Sequence, residues 1–117
     1  MKIALKKMNL ITYGCGNLYI PSLFKPIRNR EFVKPEGGLW ASPIDSDYGW
    51  SDWCRSEEWG DLTTSFTFEF VGNVFVIDSL WDTQQMPWRN PYKALRLEFP
   101  DFEQMLQQGI DAIHITV

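Results

Sequence analysis

Residues 63–77 read TTSFTFEFVGNVFVI, and this stretch decides the fold. Phenylalanine occupies positions 66, 68 and 70, the alternation typical of a β-strand that buries one face. Gly72-Asn73 then precedes a second β-prone run, so the pattern predicts an antiparallel β-hairpin with its turn at this dipeptide. With the last strand of the chain, the predicted sheet core comprises Phe66, Phe68, Phe70, Val74, Val76, Ile113 and Ile115.

Two further strands are predicted on the N-terminal side of this hairpin. Residues 2–13 end in a β-prone run, and residues 14–17 (GCGN) stop it, so we expect a central first strand followed by a tight loop. Residues 18–33 carry two prolines and no period, which predicts an irregular crossing segment. Gly37-Gly38 then predicts a turn leading into a second strand, residues 39–42 (LWAS).

Short helices complete the predicted α+β domain, which spans residues 1–117. Trp50, Trp53 and Glu57 recur at spacings of three and four, which predicts a short helix ended by Gly60. Asp78 follows the hairpin and is assigned a structural role, since strand-end aspartates usually bind turn amides. The other predicted elements are a loop at 79–91, a helix at 100–108 and a final strand at 110–117.

Composition excludes several classes of protein. Hydrophobic residues make up 44% of the chain and charged residues 22%, which is typical of a globular domain without a membrane span. A net charge of −4 gives no basic surface for nucleic acid. Two cysteines and no secretory leader favour the cytoplasm. His114 cannot join Cys15 and Cys54 at zinc-finger spacing, so no metal site is expected.

The segment around Trp40 is the strongest candidate for a ligand site. In an alternating strand Trp40 and Ser42 face the same way, just beyond glycines that let a ligand approach closely. An indole beside a small hydroxyl suits a flat polar ring, although Trp40 could instead cap one end of the core. Trp50 and Trp53 share a helix face that is expected to pack on the sheet.

Several short motifs resemble those of the ADP-ribosyltransferase-like superfamily. They are residues 37–42 (GGLWAS), residues 109–115 (GIDAIHI), and residues 34–40 (KPEGGLW) combined with 50–54 (WSDWC). The order of elements is similar to that of small bacterial and phage members, which include anti-CRISPR proteins. This resemblance implies a split antiparallel β-sandwich with short helices that clamps NAD in the cytoplasm of a phage's host.

The resemblance also implies the residues that contact the cofactor. Tyr13 stands where the family holds the nicotinamide ribose, in place of the commoner His or Arg. Trp40 corresponds to the ring that packs on nicotinamide, and Ser42 follows where a hydroxyl contacts the cofactor. Tyr13 is thereby expected to be both cofactor-binding and catalytic.

A catalytic carboxylate is the second requirement of this chemistry. Cleavage of the nicotinamide glycosidic bond passes through an oxocarbenium-like state, which a carboxylate on the ribose stabilises. Family members carry this acid on a further strand after the motif at 109–115, and here Asp111 is the nearest substitute, followed by Asp101 and Glu103. The alternative for Asp111 is a turn aspartate before a strand.

Three functions remain open from the sequence. The first is an NAD-dependent mono-ADP-ribosyltransferase that modifies a host protein. The second is a non-catalytic, phage-encoded binding protein that occludes a host defence factor with an acidic, aromatic surface. The third is a carbohydrate binder with an aromatic platform, ranked last because most tryptophans fall at core-like spacings.

Overall fold

The computed structural model describes residues 2–30, 35–92 and 97–116, and over these residues the predicted α+β class is confirmed. The strands are β1 (Ile3–Tyr13), β2 (Ser42–Pro43), β3 (Ser65–Ile77), β4 (Trp88–Arg89), β5 (Phe99–Pro100) and β6 (Ala112–Ile115). The helices are α1 (Trp50–Ser56), α2 (Leu80–Thr83) and α3 (Phe102–Gln107), with a 3₁₀ turn at Pro21–Leu23. The predicted elements that extend to Val33, Lys34 and Val117 reach outside the described residues.

The main sheet is mixed, with the strand order β2-β1-β3-β6. β1 lies between β2 and β3, which confirms the predicted central position of the first strand. β6 pairs with β3 in parallel, from Val74 opposite Ala112 to Ile77 opposite Ile115. The prediction of an antiparallel sheet is therefore wrong for these two strands. A parallel pair needs a long crossover connection, and the segment that carries α2 and α3 supplies it.

A single continuous strand, β3, replaces the predicted hairpin, so the prediction of a turn at Gly72-Asn73 is wrong. Both residues are extended, whereas a hairpin turn of this type needs positive φ. Asn73 is held to the segment before β6: its backbone N–H donates to Asp111 Oδ2 (2.8 Å), and its side-chain amide donates to the Gly109 carbonyl (3.1 Å). Pairing with β6 therefore keeps the dipeptide extended.

Other predicted elements differ in extent. The predicted strand at 39–42 is reduced to the two residues of β2, which pair with Leu10 and Ile11. The predicted loop at 79–91 contains α2 and β4. Helices α1 and α3 are confirmed, and Gly109 ends α3 with a φ of 86°. No helix among the described residues is long and apolar enough to span a membrane.

The chain forms two compact units, and a single domain over 1–117 stays a prediction. Unit 1 comprises Met1–Lys6, Lys25–Gly38 and Gly72–Val117; unit 2 comprises Lys7–Phe24 and Leu39–Val71. The core of unit 1 is a cluster of Phe75, Ile77, Met86, Met105 and Ile110, with Phe102 and Ile113 packed against it. Phe75 and Ile77 alternate with the predicted core residues Val74 and Val76 along β3, and the sequence-based core omitted both.

Two of the seven predicted core residues are buried, four are half-buried and one is exposed. Phe66 and Val74 are buried, and Phe68, Phe70, Val76 and Ile113 are half-buried. The prediction for Ile115 is wrong, since this residue is 59% exposed at the last position of β6. In unit 2, Phe66 belongs to an aromatic cluster with Tyr19, Phe24 and Phe68, whose ring centroids lie 5.7 to 6.4 Å apart.

Asp78 belongs to an ion cluster in unit 1, and its carboxylate binds a lysine where a turn amide was expected. The Asp78 carboxylate accepts a hydrogen bond from Lys2 Nζ (2.6 Å). The backbone N–H of Asp78 donates a hydrogen bond to the carboxylate of Asp82 (3.1 Å). Asp82 is 1% exposed and lies 3.3 Å from Lys2 Nζ. Burial acts to raise the pKa of Asp82, but the hydrogen bonds from Asp78 and the Lys2 ammonium outweigh it, so the pKa is lowered.

Candidate functional site: a stack of three tryptophans

Three tryptophans of unit 2 form a stack of nearly parallel rings. The centroids of Trp40 and Trp50 lie 5.5 Å apart with an interplanar angle of 14°, and those of Trp50 and Trp53 lie 4.9 Å apart with an angle of 9°. Trp40 is 48% exposed. Trp50 covers one face of the Trp40 ring. No other ring of the described residues stacks on the opposite face, which we call the open face.

The backbone of Trp40 is fixed by a residue that the sequence analysis did not single out. Thr12 Oγ1 donates a 2.6 Å hydrogen bond to the Trp40 carbonyl, and Thr12 is 1% exposed. A buried hydroxyl needs such a partner. The sequence signal that could have identified Thr12 is its position as a polar residue in the apolar end of the first strand. Alternation there directs Thr12 and Tyr13 to opposite faces.

Trp50 is fixed through the N-terminus of α1. Ser42 Oγ accepts a hydrogen bond from the backbone N–H of Trp50 (2.8 Å), and Asp52 Oδ2 accepts one from Gly49 N–H (2.9 Å). A Cβ at Gly49 would lie 2.8 Å from Ser42 Oγ, so the absent side chain is what admits the serine. Two otherwise unpartnered amides at the helix start are satisfied in this way.

The structure brings two of the four predicted site residues together. Trp40 and Ser42 both contact Trp50, one by ring stacking and the other by a hydrogen bond. Tyr13 is half-buried at the end of β1, and its place in a shared cleft stays a prediction. Asp111 belongs to unit 1, where its carboxylate accepts from Asn73 N–H as a turn aspartate does.

The two substitute acids hold the start of α3. Asn29 N–H donates to Glu103 Oε2 (2.9 Å), and Asn29 Nδ2 donates to Asp101 Oδ1 (2.9 Å). Asp101 Oδ1 also accepts from Gln104 N–H (3.0 Å), which caps the helix. Both carboxylates are therefore engaged in local structure.

Unit 2 is strongly acidic. Its residues include seven acidic and two basic side chains, a formal net charge of −5. The two basic groups are already paired, Lys7 with Glu69 (3.5 Å) and Arg55 with Asp52 (3.8 Å). The other five carboxylates form no ion pair with any described residue; they are Asp45, Asp47, Glu57, Glu58 and Asp61.

A shallow cleft lies beside β2. It has a volume of about 520 Å³ and is lined by Lys7, Met8, Asn9, Pro43, Ile44 and Asp45. Within the described part of the chain, no group of three or more His, Cys, Asp or Glu side chains is placed to hold a metal ion. Comparisons with protein-family models, curated proteins and solved structures find no match for this chain.

Proposed function

We propose that the protein is a non-catalytic binding protein and that its partner docks on the open face of Trp40. The observation that carries this proposal is the stack itself. The Trp40 ring is held in place before any partner arrives. Two further rings stack behind it, Thr12 binds its backbone carbonyl, and the start of α1 holds Trp50. Exposed, preorganised aromatic rings are typical anchors of protein interfaces.

The arrangement of the acidic residues supports binding over catalysis. An ADP-ribosyltransferase needs a carboxylate free to contact the ribose. Asp111 accepts from Asn73 N–H, and Asp101 and Glu103 both accept from Asn29. Each candidate acid already has a structural partner, and a partner-occluding protein needs no catalytic acid.

NAD binding by an ADP-ribosyltransferase-like fold is the second candidate. The open ring of Trp40 favours it, because nicotinamide is a flat ring that stacks on indole. The charge of unit 2 weighs against it, because the NAD pyrophosphate would lie near a surface with a net charge of −5 whose basic groups are paired. In this second function the partner is a host protein that the enzyme modifies.

Two measurements separate these functions. Calorimetric titration with NAD is expected to give no binding heat. A photo-crosslinking amino acid at position 40, introduced in bacterial cells, is expected to give one discrete protein adduct, and the same group at position 81 is the control. Trp81 is also exposed, at 67%, but lies in unit 1. The opposite result is micromolar NAD binding that Trp40→Leu abolishes, together with no adduct at position 40. That result would make the NAD-binding function the first candidate and the binding protein the second.

A further inference from the structure

We infer that the partner segment docked on Trp40 is an arginine-bearing stretch of protein, with one guanidinium stacked on the open indole face. This inference rests on the proposed binding function and names the chemistry of the partner. It follows from three features of unit 2. They are the exposed ring, the exposed carboxylates of the loop that joins Trp40 to Trp50, and the absence of free positive charge among the described residues.

The ring selects for a flat group. Trp40, Trp50 and Trp53 already stack with interplanar angles of 14° and 9°, so the open face of Trp40 continues a series of parallel planes. A guanidinium is planar and weakly hydrated, and it stacks on indole with both cation–π and dispersion attraction. A lysine ammonium is a compact, strongly hydrated point charge that gains less from this surface.

The neighbouring carboxylates select for positive charge. Asp45 and Asp47 are exposed, and they lie in the segment that connects Trp40 to Trp50. The stacking of these two rings closes that segment into a loop, and both carboxylates lie on this loop. Carboxylates bind guanidinium through two parallel hydrogen bonds, and neither Asp45 nor Asp47 has an ion-pair partner among the described residues.

The cleft beside β2 provides room for the rest of the segment. It holds about 520 Å³, and its lining includes Asp45 together with the apolar side chains of Met8 and Ile44. Lys7 also lines the cleft but is paired with Glu69 (3.5 Å), so the apolar side chains can take the aliphatic stem of a second basic residue and Asp45 its charged head. The cleft and the stack share the chain segment that follows Trp40, so one extended peptide can contact both.

The same features disfavour phosphate-bearing ligands. A unit with a net charge of −5 repels phosphates, and its Lys7 and Arg55 are already paired. A neutral sugar would stack on Trp40 without using Asp45 or Asp47. Only a flat cation uses both the ring and the carboxylates.

The test uses the full chain and three synthetic peptides of equal length. One peptide carries three arginines spaced by glycine, the second carries lysine at those positions, and the third carries citrulline, which is flat but neutral. Affinity is measured by calorimetry, and contact is located from the NMR signal of the Trp40 indole N–H, assigned with Trp40→Leu. We expect the arginine peptide to bind about fivefold or more tightly than the lysine peptide and the citrulline peptide to show no measurable binding.

Matched variants assign the effect to this surface. Trp40→Leu is expected to weaken arginine-peptide binding about tenfold, whereas Trp81→Leu leaves it unchanged. Asp45→Asn with Asp47→Asn is expected to weaken it about fivefold. Glu57→Gln with Glu58→Gln removes the same charge elsewhere in unit 2 and is expected to change it less than about twofold.

The outcomes are distinguishable from failure of the proposed function. Equal affinity for the arginine and lysine peptides, tight binding of the citrulline peptide, or full binding by Trp40→Leu overturns the arginine inference. An adduct at position 40 in cells together with any of those results leaves the binding function in place without arginine as its determinant. Loss of that adduct removes the binding function itself.

Discussion

At the scale of single residues, the side chain that positions the candidate site is Thr12 rather than the ring it supports. Its hydroxyl reaches the carbonyl of Trp40 across 28 positions in sequence. Trp40 could be singled out from the sequence as a candidate ring because an indole beside glycines and a serine is a recognisable pattern. The role of Thr12 was not predictable, because it depends on which distant carbonyl lies beside a buried hydroxyl.

We expect Thr12→Val to destabilise the fold. Valine keeps the shape but removes the donor to the Trp40 carbonyl, and loss of one such part-buried hydrogen bond costs about 0.5–1.5 kcal/mol. Urea denaturation measures the loss of stability. Thr67→Val is the control, since Thr67 is exposed on β3, and it should shift stability by no more than about 0.5 kcal/mol. Equal effects of the two substitutions would show that the hydroxyl of Thr12 has no special role.

The buried carboxylate of Asp82 carries a second prediction at this scale. Its pKa is lowered from 3.8, so the folded state favours its charged form. That contribution to stability is present above the unfolded pKa of 3.8 and is lost as the pH falls through the folded value. Asp82→Asn should therefore lower stability at neutral pH, and the difference from the native chain should shrink in acid.

The matched control for Asp82→Asn is Asp47→Asn. Asp47 is exposed and forms no ion pair with any described residue, so the difference in stability between Asp47→Asn and the native chain should stay near zero across the same range of pH. A difference between Asp82→Asn and the native chain that is independent of pH would contradict the assigned charge.

At the scale of elements, alternation and spacing predicted what each segment becomes better than they predicted which segments pair. The phenylalanines of β3 and the spacings of α1 and α3 are local signals, and those elements form. The hairpin prediction was wrong because Gly72-Asn73 has the composition of a turn. The hydrogen bonds that hold Asn73 are made with Gly109 and Asp111, which lie far along the chain. Long-range pairing of that kind leaves no local pattern.

We expect Ser42→Ala to weaken the start of α1. Its oxygen accepts from the backbone N–H of Trp50, and loss of a comparable helix-start acceptor costs about 0.5–2 kcal/mol. Thermal or urea unfolding measures this change, and Ser22→Ala, at an exposed position, is the control. If Ser42 serves only as a ligand contact, its removal will leave stability unaltered and reduce binding alone.

Gly109 sets the end of α3 and carries a prediction of its own. Its φ is 86°, and a Cβ there would meet no atom within 4 Å, so any penalty comes from backbone strain and not from a clash. Gly109→Ala should cost about 1–2 kcal/mol. Gly109→Asn should cost less, because asparagine tolerates left-handed backbone better than alanine. Similar losses for both variants would point to a cause other than φ.

At the scale of the whole molecule, charge and protonation decide how stability responds to pH. His114 lies half-buried on β6, and its Nδ1 is buried with no hydrogen-bond partner among the described residues. Burial, followed by the nearby charge of Lys6, lowers the pKa of His114 from 6.5. The folded state therefore binds a proton less readily than the unfolded chain does.

The lowered pKa of His114 makes the folded protein less stable in mild acid than at neutral pH. Stability should be highest above the unfolded pKa of 6.5 and should fall as the pH drops through the lower folded value, since the unfolded state then takes up the proton first. Urea denaturation between about pH 7.5 and pH 5 measures the slope. His114→Gln does not titrate and should flatten the slope whatever its effect on absolute stability. An unchanged slope in that variant would assign the effect to other groups.

The two compact units share their longest strands, and this has a consequence for how the protein can change over generations. The chain passes between the units four times, after residues 6, 24, 38 and 71, and both β1 and β3 contribute to each unit. No single breakpoint in the coding sequence yields one unit without pieces of the other. An exchange of the continuous segment Leu39–Val71 carries all three tryptophans of the stack but leaves behind Thr12, which holds the Trp40 carbonyl, so the stack and its support are inherited together only when both pieces of unit 2 are exchanged.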